Sequence, residues 1–291
     1  MPSASPVRPL PSATVLVLRD GDDGLEVLLV RRRQGRGFAA GAWVFPGGVV
    51  ADADRSLPPA CRSHHRSEAR SACLRLASSE VTGRLVAGIR ETFEEAGLLL
   101  ARHADGRRPD ARAPAVAAVR RRLAKGQLDA AGFARWLAED GLVCDLDAIV
   151  PLRRMVTPRQ SDRRFDTLFL LARAPEGQDA TIDDHEVTDL WWARPALALE
   201  AGATGRLAVM HPTVRALEAI SDLPGVAEAE ARARAEHAIP PVLPHLEDPG
   251  GSEPPRLLEP GDADYPLGPY AEEFPAWGDL AAWGEVPPWS R

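Results

Sequence analysis

Apolar runs and polar breaks divide the chain into short strands and amphipathic helices. Thr14-Val15-Leu16-Val17-Leu18 is an unbroken apolar run, the pattern of a strand buried on both faces. Gly21-Asp22-Asp23-Gly24 interrupts it, and residues 25–30 resume it, which predicts a hairpin. Ala42-Trp43-Val44 reads as a further strand that ends in the pair Gly47-Gly48. Leu85, Val86, Ile89 and Phe93 recur at helical spacing and predict a helix ending at Ala96, with Ser79 or Thr82 as its cap. Residues 113–125 and 129–139 predict two more helices. The second has Phe133, Trp136 and Leu137 on one side and Asp129 as cap. The strand pattern returns at 155–156, 163–172 and 187–192, where Trp191 and Trp192 should point to opposite faces. Short helices are expected at 195–200, 211–220 and 225–237. Beyond Pro240, proline, glycine and acidic residues increase. The aromatics Tyr265, Tyr270, Phe274, Trp277, Trp283 and Trp289 predict a tail that docks in part.

The chemistry concentrates at the end of the long helix, in Arg90-Glu91-Thr92-Phe93-Glu94-Glu95-Ala96-Gly97-Leu98. Glu91 precedes Glu94 and Glu95 by three and four residues, so the carboxylates share one side of the helix. Two readings stand at this point. One is a solvated acidic face. The other is an all-oxygen ligand set for a hard divalent cation such as Mg²⁺ or Mn²⁺. Gly97 suits a left-handed helix end. Upstream, the glycine pair lets backbone approach a ligand closely, and Asp54 follows Gly48 by six residues.

Together these residues resemble the Nudix hydrolase family, whose box runs G-x5-E-x7-R-E-U-x-E-E-x-G-U. Gly48, Arg90, Glu91, Glu94, Glu95, Gly97 and Leu98 occupy its positions. Three departures stand out: Asp54 in place of the first glutamate, Thr92 in place of an aliphatic residue, and thirty-five residues between Asp54 and Arg90. An interrupted box of this kind is similar to the coenzyme A diphosphatase branch, as is the Thr-Pro followed by Arg-Phe-Asp-Thr at 157–167. That branch also carries a motif beginning L-L-x-x-R. Leu28, Leu29 and Arg32 match its start, while Gly37 stands where a later arginine would fall.

The resemblance implies an α+β fold, the Nudix α/β/α sandwich on a central mixed sheet, with a helical insertion and a proline-rich C-terminal tail. It implies Mg²⁺ or Mn²⁺ as cofactor, held by Glu91 and Glu95, with Glu94 and the Gly48 carbonyl as further ligands. Glu94 either shares the metal or takes a proton. Glu186 is the rival base, with Asp184 behind it, because many family members draw a carboxylate from a loop at this place. Arg90 is expected to pair with a glutamate and fix its rotamer. Arg32, Arg163, Arg164 and Gly47 are the candidate substrate contacts. For residues 31–36 a solvated basic loop and a phosphate clamp are both open, and for Arg163 and Arg164 a structural ion pair is the rival to substrate contact. The expected reaction splits the diphosphate bond of a nucleoside diphosphate joined to another group, with coenzyme A or acyl-coenzyme A leading. The alternatives are a non-catalytic sensor of a nucleotide-linked metabolite, a hydrolase of ADP-ribose or NADH, and an isomerase on the same fold. The last would need a cysteine in the pocket.

Composition narrows the partners. The 291 residues carry a net charge of −7, against general nucleic-acid binding. Positive charge is almost all arginine, with Lys125 the single lysine, which with abundant Ala, Pro and Gly points to a GC-rich bacterial coding sequence. No apolar run reaches membrane length, no leader is evident, and Cys61, Cys73 and Cys144 form no close pair, so a reducing cytoplasmic setting is expected. The expected partner is a small nucleotide-linked substrate, with no nucleic acid or membrane, and with a homodimer as a candidate assembly. Residues 1–222 read as the Nudix domain, interrupted within the box at 55–78 and by a helical insertion at 101–150; residues 223–291 read as a helix and tail. The box interruption, with Cys61, His64, His65 and Cys73, reads as a surface loop in preference to a zinc site.

Overall fold

The computed structural model describes residues 6–35, 39–63, 67–182, 185–248 and 255–277. Expectations placed on Gly37, His64, His65, Asp184, Trp283 and Trp289 lie outside those residues. The first half of the chain runs β1 (Leu10–Gly21), β2 (Gly24–Arg32), β3 (Trp43–Val44), β4 (Gly47–Val49), α1 (Asp52–Arg55), α2 (Ser67–Leu74) and α3 (Ser78–Ala96). The helical insertion comprises β5 (Ala101–His103), α4 (Pro114–Ala124), α5 (Ala130–Glu139) and β6 (Leu142–Cys144). Then come β7 (Val150–Val156), β8 (Phe165–Arg173), β9 (Val187–Ala193), α6 (Pro195–Ala203), α7 (His211–Glu218) and α8 (Val226–Ala235). The tail holds β10 (Pro241–Val242), β11 (His245–Glu247), β12 (Arg256–Leu258) and α9 (Leu267–Glu273).

The central sheet is mixed. β8 runs parallel to β1 along nearly its whole length and antiparallel to β7. On its other edge β1 serves two partners: β4 pairs with Ser12–Thr14 and β2 with Leu18–Gly21, both antiparallel. The opening where those partners separate positions the site described below. Burial on both faces follows from the apolar runs. Ala13, Val15, Val17, Leu168 and Leu170 pack on the α3 side with the insertion helices, and Leu16, Leu18, Phe169 and Leu171 pack on the side of α6, α7 and α8. Helices therefore cover both faces of the sheet, as the α/β/α expectation required. Trp191 and Trp192 divide between the same two faces.

The apolar stripe of α3 lies where periodicity put it, and Phe93 extends it by stacking on Trp136 of the insertion, with ring centroids 5.7 Å apart. Asp129 caps α5, accepting from the Gly132 amide at 2.8 Å. The start of α3 differs from expectation. Its cap position is Ala77, with no side-chain bond, so Ser79 and Thr82 fall inside the helix. The interruption of the box is also not a surface loop. It forms a short 3-10 turn at Pro59–Cys61 and α2 and puts Leu57, Cys61 and Leu74 in the core, and Arg70 pins it to the second insertion through the carbonyls of Leu146 (2.8 Å) and Ile149 (2.7 Å). Its serine and proline content disguised a segment that tertiary contacts bury.

The described part of the tail docks. Tyr265 and Tyr270 donate to the carbonyls of Leu243 and Pro241, and with Trp277 they form a small core against Val156. No helix among the described residues is long and apolar enough to cross a membrane.

Candidate active site

The glycine pair and the glutamate helix meet. β4 lies so close on β1 that a Cβ on Gly47 would fall 2.4 Å from the Ala13 carbonyl, and one on Gly48 would fall 2.4 Å from Glu91 Oε1. At Gly47 the contact is with backbone and only glycine leaves room; at Gly48 a side chain would displace the Glu91 carboxylate. Thr14 fixes the approach to this turn by donating its hydroxyl to the carbonyls of Phe45 (3.1 Å) and Pro46 (2.9 Å). The Gly47 amide donates to Glu95 Oε2 at 3.0 Å, and Glu95 is 3% exposed. Gly97 ends α3 in the left-handed region, with φ of 72°.

Asp54 is returned to the box in space. Its carboxylate accepts from Arg90 Nε (3.1 Å) and Nη2 (2.9 Å), and from the Ala51 amide (2.9 Å). Arg90 also donates to Glu91 Oε1 at 2.6 Å and to the Val49 carbonyl at 3.2 Å. Thus Arg90 pairs with a glutamate, and its second partner is the acid on the far side of the interruption.

Burial pushes the Glu95 carboxyl well up from the ordinary carboxylate range, and the nearby charge of Glu91 adds to this; Arg32 and the Gly47 amide oppose it. Burial also raises Glu91, with Arg90 opposing. Glu95 is buried and Glu91 half-buried, and a cation set between them would offset the repulsion that comes with ionising both. Among the described residues, no group of three His, Cys, Asp or Glu side chains is gathered at metal spacing. The all-oxygen donor set and the mutual repulsion of Glu91 and Glu95 nonetheless fit a hard divalent ion.

Both Glu91 and Glu94 line a cavity of about 630 Å³ that opens beside the Gly47-Gly48 turn. Arg32 stands in its wall, 3.8 Å from Glu95 Oε1 and 3.8 Å from Glu186 Oε2. Arg163 lines it as well, with its guanidinium 5.0 Å from the Phe165 ring centre. Arg164 does not. It is 1% exposed and donates to the carbonyls of Thr157 and Val7 and, at 2.7 Å, to Glu273 of the tail. The expectation that it faces substrate is corrected: it sits in the turn just before β8, where Thr157, Val7 and Glu273 hold its guanidinium inside the fold. Asp166, in the stretch that resembled the branch motif, is likewise enclosed between Arg84 and Arg154.

The sequence did not mark the rest of the wall. Leu123 and Leu128 reach the cavity from the insertion, and Met210 and Thr213 reach it from the start of α7. Nothing local distinguishes such residues from ordinary core positions. None of the three cysteines lines the cavity, which removes the isomerase alternative's nucleophile.

The chain matches the model of the NUDT19 Nudix domain over residues 58–219. It is 30% identical over 212 residues to the human acyl-coenzyme A diphosphatase NUDT19, a match covering 62% of this chain and 56% of the relative. The chicken protein of the same name is 30% identical over 215 residues, covering 60% and 55%. The matches thus span little more than half the length of these curated relatives. The crystal structure of a Nudix hydrolase from Alicyclobacillus acidocaldarius superposes with a TM-score of 0.67 at 28% identity, covering 77% of this chain and 96% of that one.

Proposed function

The chain belongs to the Nudix family of the NUDT19 type, and we propose that it is a metal-dependent hydrolase that splits the diphosphate bond of a nucleoside diphosphate joined to another group. Coenzyme A or an acyl-coenzyme A is the leading substrate, since the human and chicken relatives bear the name acyl-coenzyme A diphosphatase. The carrying observation is the buried Glu95 and half-buried Glu91 against the Gly47-Gly48 turn, at the edge of a cavity of about 630 Å³ with Arg32 in its wall. That volume lies within the roughly 300–1,000 Å³ usual for small-molecule sites.

Nudix hydrolases generally use divalent metal ions. Here Glu91 and Glu95 would hold the ion, which when bound neutralises diphosphate charge and acidifies a water. The chain's residues supply the rest. Arg90, locked by Asp54, fixes the Glu91 rotamer. Arg32, beside Glu95, and Arg163 meet the phosphates from the cavity wall. Water adds to one phosphorus, the bridging P–O bond breaks, and the water's proton passes to Glu94 or Glu186, both of which line the cavity. Two phosphomonoesters result.

The test is a screen of coenzyme A, acyl-coenzyme A, ADP-ribose, NADH and dinucleoside polyphosphates with Mg²⁺ and Mn²⁺, read by mass spectrometry. Coenzyme A substrates should give an adenosine bisphosphate and a phosphorylated pantetheine arm. Glu95→Gln should lower turnover about a hundred- to a thousandfold, the scale of losing a group that stabilises transition-state charge. Full activity in that variant removes the mechanism. Glu94→Gln and Glu186→Gln, compared across pH, identify the base.

A further inference from the structure

The last turn of α3 carries Glu94 and Glu95, and its final carbonyls have no following helical turn to donate to them. Their donors come from elsewhere. Arg120 of α4 donates through Nε to the Glu94 carbonyl (3.0 Å) and through Nη2 to the Glu95 carbonyl (3.2 Å). The same guanidinium donates to the Thr181 carbonyl (2.6 Å) and hydroxyl (2.6 Å). The Thr181 amide in turn donates to the Ala96 carbonyl at 2.9 Å. Leu99, just past the helix, exchanges bonds with the Gln178 side chain at 2.8 and 3.3 Å. One planar cation therefore binds the insertion, the end of the glutamate helix and the loop after β8.

We infer that Arg120 is a positioning residue, and that the helical insertion serves the reaction by fixing the turn that presents Glu94 and Glu95. This rests on the metal-binding role proposed for Glu95. Glu95 is then held at both ends, its carbonyl by Arg120 and its carboxylate by the Gly47 amide. A fork of N–H groups reaching four acceptors at fixed angles is a task for guanidinium that a lysine ammonium cannot reproduce. Its charge also suits the negative end of a helix. The Phe93–Trp136 stack sets the insertion against the back of the same helix, so Arg120 determines how the last turn sits, while apolar packing determines that it is there at all. A displacement of about 1 Å at a reacting group can cost about a hundredfold in rate. Beside Arg120 lies a cavity of about 380 Å³, lined also by Arg112, Arg121, Thr181 and His185, large enough to admit a free guanidinium ion.

Arg120→Ala and Arg120→Lys are to be compared with the unaltered full chain by amide hydrogen exchange, by Mn²⁺ binding without substrate, and by kcat and KM. In Arg120→Ala, exchange at the end of α3 should rise at least about tenfold, with β1 and β8 unchanged. Mn²⁺ affinity should fall, and kcat should drop at least about tenfold with KM within about twofold. Millimolar guanidinium should restore part of the loss, and Arg120→Lys should fall between. Exchange and Mn²⁺ affinity both within twofold of the unaltered chain would overturn the inference, as would protection lost evenly across the molecule. Should Arg120→Ala fail to fold, Thr181→Val, which removes a single hydroxyl from the bracket, decides by the same readouts. If the unaltered chain hydrolyses no diphosphate, the proposed reaction fails; exchange and Mn²⁺ binding still decide the role of Arg120.

Discussion

At the scale of single residues, the site is governed by what has no room and what has no freedom. Gly48 shows the first. A methyl group there meets the Glu91 carboxylate at 2.4 Å, so one of the two must shift. Gly48→Ala should therefore lower kcat by at least about tenfold, the consequence of moving a group that must be placed to within a fraction of an ångström, while thermal melting moves little. Steady-state kinetics with a melting curve on the same preparation checks it. The glutamates and glycines could be read from the chain because their spacing is local: three and four residues on a helix, two in a turn. Arginine roles could not. Arg32, Arg163 and Arg164 look alike in sequence, yet Arg164 is buried against the tail, and Arg84 and Arg154 enclose Asp166. What separates them is the partner, and the partners lie far away along the chain.

At the scale of elements, the lock between α1 and α3 matters most. Asp54 and Arg90 are 1% and 7% exposed, and the carboxylate takes two bonds from the guanidinium. Asp54→Asn keeps the shape but removes the charge, leaving a buried cation with one fewer anion. Breaking such a pair costs about 3–5 kcal/mol, so a marked fall in the melting temperature is expected, together with lost activity as Glu91 loses its brace. A melting temperature unchanged within a degree would show that Glu91 alone suffices for Arg90. The elements themselves were largely legible, since strands and helices announce themselves by period. The box interruption was not: its apolar residues are few, and what buries them is the second insertion, which no local pattern reveals.

At the scale of the molecule, the tail is fastened to the wall of the cavity. Glu259, 5% exposed, accepts from Arg215 and from His211, whose helix α7 also presents Met210 and Thr213 to the cavity. Burial by itself would raise the Glu259 carboxyl; the bonds from His211 and Arg215 reverse that and hold it down to about 2. A carboxyl lowered on folding stabilises the fold above its unfolded value, and that contribution drains away as pH falls. The loss should run from about pH 4.5 down to about 2 and amount to about 3 kcal/mol. Glu259→Gln should be less stable than the unaltered chain at neutral pH and should converge with it in acid, as measured by denaturant unfolding across pH. Parallel curves would deny the pairing any such part.

The Asp54–Arg90 lock has a corollary for how this protein tolerates change. The thirty-five residues between its two members leave and re-enter at points clamped to each other. Lengthening a tethered segment is cheap: doubling it adds only about 0.6 kcal/mol of closure entropy. That tolerance does not extend to what the segment buries: Leu57, Cys61 and Leu74 lie in the core beside α3, so foreign sequence that replaced them would empty part of that core even with both ends still clamped.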